Sequence, residues 1–166
     1  MPMPTPDPTP SRITTSGYGF ENATRPPGEK FPWSRVSEVF AGARNYWIAT
    51  ARADGRPHAA PVWGVWLDGL FYFSTGKESR KARNLAGNPN VAVHVEGPGG
   101  EVVILEGVAE EISDASILKP VWQAYNAKYD WAVEGHPFFV VRPSVAFSFR
   151  EELGETATRW VFPERE

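Results

Sequence analysis

The chain has no cysteine among its 166 residues. Disulfide staples, thiolate nucleophiles and cysteine-built zinc sites are therefore excluded. Histidine is scarce as well: His58, His94 and His136 stand far apart and lack metal-ligand spacing. Each of them reads as a strand or turn residue. No apolar run approaches the roughly 20 residues that a membrane-spanning helix needs. A basic-then-apolar leader is missing too, so no membrane partner and a cytoplasmic location are expected. Positive charge is not in excess. The net charge of −3 gives no general attraction to nucleic acid or anionic lipid. Catalytic signatures are equally sparse, with no Gly-x-Ser-x-Gly elbow, Gly-x-Gly-x-x-Gly turn or P-loop. Glu110-Glu111 and Glu151-Glu152 are adjacent pairs. Neighbours on a strand point to opposite faces, so they make poor acid–base pairs.

What the chain has in quantity is aromatic side chains, with seven Trp, ten Phe and five Tyr. That suits a β-rich core or flat ligand surfaces. Residues 1–32 read as a proline-rich, disordered tail, because MPMPTPDPTP favours extended conformations and offers no core face. Tyr18, Phe20, Phe31 and Trp33 are the side chains there that could pack on the domain or on a partner. Residues 33–166 read as one domain. It opens with a short helix on Val36, Val39 and Phe40, with Ser34 as a cap candidate.

Tyr46–Ala51 reads as the first strand, and Asp54-Gly55 as the turn into a second strand over Ala59–Trp66. Leu67-Asp68-Gly69 turns into a third. Later strands are expected over Val91–Val95 and Glu101–Ile112, with Val103, Leu105 and Val108 inward and Gly107 at a bulge. Asp114 caps a helix over Ala115–Tyr129, which Pro120 is expected to break or delay. Phe138–Val141, Val145–Phe149 and Thr158–Phe162 complete the set. The fold class is mainly β: six or more antiparallel strands with few helices, closed or split into a barrel.

The segment Leu70–Val95 carries the chemistry. An aromatic strand, Leu70-Phe71-Tyr72-Phe73, gives way to the small residues Ser74-Thr75-Gly76. Ser79-Arg80-Lys81 then opens a helix that Gly87-Asn88-Pro89 stops. Cations at a helix start oppose its dipole unless an anion neutralises them. A hydroxyl, a guanidinium and an ammonium beside free N–H groups are what a phosphate needs. An ordinary basic first turn is the competing reading of the same three residues.

The ordered set YWIATARADGRPHAAPVW, LFYFST, SRKARNL, NPNVAVHV and ATRW resembles the pyridoxamine 5′-phosphate oxidase-like superfamily of FMN-binding split β-barrels. The resemblance covers about residues 33–162. It implies a flavin-dependent oxidoreductase acting on a small molecule, with FMN or the deazaflavin F-420 as cofactor. It also implies a homodimer with cofactor sites at the subunit interface. By the resemblance, Ser79, Arg80 and Lys81 hold the cofactor phosphate. Phe73 and Ser74 lie along the ring and ribityl chain, and Pro61, Val62 and Trp63 face the ring's polar edge. Asn84 supports the site, while Arg159 and Trp160 approach the cofactor, commonly from the partner subunit. Oxidases of pyridoxamine phosphate itself carry a basic residue where this chain has Ala60, and a C-terminal basic and histidine cluster of which only Arg159 remains. The deazaflavin or FMN branch is therefore implied rather than vitamin B6 oxidation. Alternatives of another class are a non-catalytic flavin or haem binding, storage or sensor protein, with His94 or His58 as axial candidates, and a structural β domain without ligand.

Overall fold

The computed structural model describes residues 6–15, 17 and 19–164. Helix α1, Trp33–Gly42, buries Val36, Val39 and Phe40 along one stripe. It starts two residues earlier than a Ser34 cap requires. Pro32 is extended there, and its carbonyl accepts from Arg35 and Val36 N–H. Strand β2, Tyr46–Ala51, pairs antiparallel with β3, Pro57–Val62. The second expected strand is in fact two: the chain turns at Trp63, and β4, Gly64–Leu67, pairs instead with β5, Leu70–Ser74.

Ser79 caps α2, Arg80–Gly87, and Asn88 ends it in an extended conformation ahead of Pro89. Strand β6 spans Asn90–Glu96 and β7 spans Val102–Ile112. Helix α3, Ala115–Tyr129, is continuous. Pro120 does not interrupt it, because Pro120 and Ser116, whose carbonyl it leaves unpaired, both lie on the exposed face. The two strands expected over 138–149 are one, β8, Phe138–Phe149, followed by the short α4, Leu153–Thr156, and β9, Thr158–Val161.

Val103, Leu105 and Ala109 face the core, but Val108 is 45% exposed. The bulge explains the difference. Glu106 pairs with Val145 and Gly107 with Pro143, so the extra residue is Ser144 on β8. The alternation of β7 therefore runs through without a switch of face. Gly107 allows the crossing, since a Cβ there would strike the Arg142 carbonyl.

With β1 at Thr9–Arg12, the strands run β1-β9-β8-β7-β6-β2-β3 across the sheet, with β5 and β4 branching from β8. Strand β1, Thr9–Arg12, comes from the leader expected to stay disordered. It is held because β9 would otherwise expose its edge, and further along the same segment Phe31 is fully buried in the core. Gly28, at φ +80°, crosses so close to Trp160 that a Cβ would lie 2.7 Å from the indole. Phe20 meets Phe149 at 6.4 Å, and Trp33 meets Trp160 at 5.4 Å. Residues 1–5 and Tyr18 lie outside the described residues.

One hydrophobic cluster fills the curved inner face, including Phe40, Tyr46, Phe71, Phe73, Val93 and Leu105. A second lies under α3, where Leu118, Val121, Tyr125 and Tyr129 meet Val65, Tyr72 and Val140. Glu101, 2% exposed, ties α1 to the β6–β7 turn through Arg35 at 2.9 Å and the Gly99 N–H at 2.8 Å. On the outer face, strand register sets Pro61, Trp47, His94, Ile104, Phe147 and Arg159 in one row across six strands. No helix of the described residues is long and apolar enough to cross a membrane.

Candidate functional site

A cleft of about 420 Å³ opens where the β3–β4 corner, the end of β5 and the start of α2 meet α3 and the loop after it. That volume is within the range of small-ligand pockets. Five of the expected site residues line it: Pro61, Val62, Trp63, Ser74 and Lys81.

The α2 end of the cleft is polar and cationic. The Ser79 Oγ accepts from the Ala82 N–H at 3.2 Å and from the Thr75 hydroxyl at 3.1 Å. Its own proton is thereby left for another acceptor. The first turn of α2 holds no acidic residue, so the local conflict between cations and helix dipole is real. Lys81 is half-buried on the cleft wall and makes no hydrogen bond or ion pair among the described residues. Burial holds its ammonium below the ordinary lysine pKa. Arg80 is exposed and equally unpaired. Ser74 donates to the Pro137 carbonyl at 2.8 Å, fixing the end of β5 to the loop that closes the cleft.

The α3 end is aromatic. Trp63 stacks on Tyr129 with ring centres 4.6 Å apart, and Trp131 meets Trp63 edge-on at 5.4 Å. The Arg44 guanidinium lies over Trp63 and Tyr129 at 5.5 and 5.6 Å. The last turn of α3 clamps the corner that carries Trp63. The Tyr129 hydroxyl accepts the Gly64 N–H at 3.0 Å and lies 2.9 Å from the Arg44 and Gly64 carbonyls. Lys128 donates to the Ala41 and Gly64 carbonyls at 3.1 Å and to the Tyr46 hydroxyl at 2.8 Å. Burial, with the nearby Arg44 charge adding to it, pushes Lys128 down to about 8.

The other expected residues lie around the cleft rather than on its wall. Phe73 is fully buried between Phe71 and Phe139 in the core. Asn84 is buried and donates to the Thr50 hydroxyl at 2.9 Å, which holds α2 against β2. Trp160 is buried, with its indole N–H donating to Ser148 at 2.8 Å. Arg159 sits at the far end of the outer row, and its guanidinium has no partner among the described residues. Sequence reasoning missed Asn45, Tyr125, Trp131, Val133 and His136, all of which line the cleft. A signal was present: Trp131 to Pro137 places a Trp and a His in a loop with no strand or helix pattern to account for them.

An antiparallel sheet of this order, split at the Trp63 corner, is the architecture of the split β-barrels. Residues 33–151 match the family model described as pyridoxamine 5′-phosphate oxidase, and the chain belongs to that family. Among curated proteins none matches the chain. Several solved structures are similar. A protein titled F-420 reductase aligns over 66% of this chain and 94% of its own, at 25% identity and a TM-score of 0.55. An FAD-binding protein from Mesorhizobium loti aligns over 77% and 94%, at 22% identity and a TM-score of 0.57. The heme storage protein HutZ from Vibrio cholerae aligns over 66% and 88%, at 19% identity and a TM-score of 0.58.

Proposed function

We propose that this chain is an oxidoreductase that works through FMN or the deazaflavin F-420, with the cofactor phosphate at the start of α2 and a small molecule as substrate. The observation that carries the reading is Lys81, a partly desolvated ammonium on the wall of a ligand-sized cleft with no counter-charge among the described residues. An anion there would satisfy Lys81, Arg80, the Ser79 hydroxyl and the first N–H groups of α2 together. A planar ring extending from that anchor would run past Ser74 toward the Pro61-Val62-Trp63 corner, where Trp63 is already held flat by Tyr129. When bound, such a cofactor supplies hydride transfer, and the protein orients it and excludes water. No protein nucleophile is then required.

The reading includes a homodimer. The outer row from Pro61 to Arg159 has a cleft residue at one end and an unpaired guanidinium at the other. A two-fold axis through its middle, between His94 and Ile104, would bring Arg159 of a second copy toward the cleft. Trp47, 47% exposed in that row, would be covered by the same contact. Sedimentation should give two copies per particle, and a monomer at assay concentration would remove this part of the reading.

Fluorescence titration with FMN and with F-420 tests the cofactor directly. Replacing Arg80 and Lys81 together by Ala should weaken binding by about 3 kcal/mol, since charge-assisted bonds are lost. Wild-type protein that binds neither cofactor would sink the proposal, and unchanged affinity in the double variant would place the phosphate elsewhere. The similarity to a heme storage protein favours a second reading, a carrier without turnover. His94 lies in the outer row and His58 on β3, so the histidine lining the cleft is His136. Turnover with reduced cofactor, and the absence of a Soret band on haem addition, would favour the enzyme.

A further inference from the structure

The α3 end of the cleft contains a polar group that the cofactor reading leaves unused. Tyr125 is 4% exposed, its ring packed 4.7 Å from Tyr129 and 5.7 Å from Phe138. Its hydroxyl has no hydrogen-bond partner among the described residues. The side-chain atoms sealed from solvent without a partner are Arg52 Nε, His58 Nδ1 and Trp122 Nε1. The Tyr125 oxygen is not among them, so it keeps contact with open space, and Tyr125 is one of the residues that line the cleft. A phenol buried to this degree beside a cavity is a donor in need of an acceptor.

The walls around it define what that acceptor belongs to. Trp63, Trp131 and Val133 present flat aromatic and aliphatic surface, and among the described residues no carboxylate lines the cleft. A cationic ligand would find no counter-charge at this end, and an anionic one would be drawn to Lys81 at the other. Burial raises the Tyr125 pKa, so the hydroxyl keeps its proton across the ordinary pH range. We propose that the Tyr125, Trp131 and Val133 end of the cleft is a second subsite, for a neutral planar molecule whose carbonyl oxygen accepts the Tyr125 hydroxyl. The inference rests on the reading that the Lys81 end takes the cofactor phosphate, since that leaves this end for the other reactant.

A matched pair of probes isolates the hydrogen bond. Fluorenone and fluorene share a flat neutral frame and differ by the carbonyl oxygen. Equilibrium dialysis of the full chain, with and without FMN, should show tighter binding of fluorenone. Tyr125→Phe keeps the ring packing and should weaken fluorenone roughly fivefold to tenfold while leaving fluorene within about twofold. Trp131→Ala should weaken both probes alike, because it removes a wall they share. FMN affinity should be the same in Tyr125→Phe and wild type. Fluorenone binding that ignores Tyr125→Phe, or no fluorenone binding to wild type, would overturn the subsite even if FMN binds. Loss of FMN affinity in Tyr125→Phe would overturn it too, by assigning the hydroxyl to the cofactor. The reverse pattern, Tyr125-dependent fluorenone binding in a protein indifferent to FMN and F-420, keeps the subsite and removes the cofactor reading.

Discussion

The two hydrophobic clusters differ in how completely they satisfy their polar tips. Inside the curved sheet, the Tyr46 hydroxyl donates to the Phe40 carbonyl at 2.7 Å and the Trp160 indole donates to Ser148 at 2.8 Å. Under α3, the Trp122 indole N–H is sealed without a partner, and the Tyr125 hydroxyl opens on the cleft unpaired. An unmade bond in a buried place costs stability, so evenly satisfied interiors are the rule. The inner cluster obeys it and holds the fold. The α3 cluster obeys it at Tyr129, whose hydroxyl has three partners, and relaxes it at Trp122 and at Tyr125, the second of which lines the cleft.

The comparison can be broken at several points. Phe71 is fully buried and touches Phe40, Tyr46 and Phe73. Phe71→Ala should cost about 3–5 kcal/mol of stability by denaturant titration, the largest single effect expected. A much smaller loss would mean that the inner cluster is not the main support. Tyr129→Phe should cost about 1–3 kcal/mol, because it strands the buried Gly64 N–H. It should also loosen Trp63, read as increased quenching of tryptophan fluorescence by acrylamide; unchanged quenching would separate Trp63 from its clamp.

The smallest effect is confined to acid. Arg35 and the Gly99 N–H hold the Glu101 carboxyl below its ordinary value of 4.5. The group therefore contributes stability that is fully present above about pH 4.5 and is lost as pH falls through the lowered folded value. Glu101→Gln should flatten that part of the stability profile, leaving the neutral range less altered in slope. An identical acid limb in both proteins would show that the pair carries no linkage.

Local chemistry made much of the fold legible. The Asp54-Gly55 turn, the Asp114 cap and the stop at Pro89 each depend on neighbours in sequence, and each is where it was expected. Long-range effects were the hidden ones. The face of Val108 depended on an extra residue in β8, some 36 positions on at Ser144, rather than on Gly107 itself. The leader became a strand because β9 had an edge to fill, which composition cannot report. The site divided in the same way. Its cationic end was readable, since Ser79, Arg80 and Lys81 are contiguous. Its aromatic end was not, because Tyr125 follows the spacing of a core stripe and only the tertiary fold brings it to the wall of a cleft.

The pairing of β1 with β9 also carries a consequence for synthesis. The Ser11 hydroxyl bonds the Arg159 carbonyl across 148 positions of chain. On a ribosome the Thr9–Arg12 segment emerges well before β9 and finds its place only once β9 has been made. Its docking is then a high-contact-order event, with the segment open to proteases until β9 arrives.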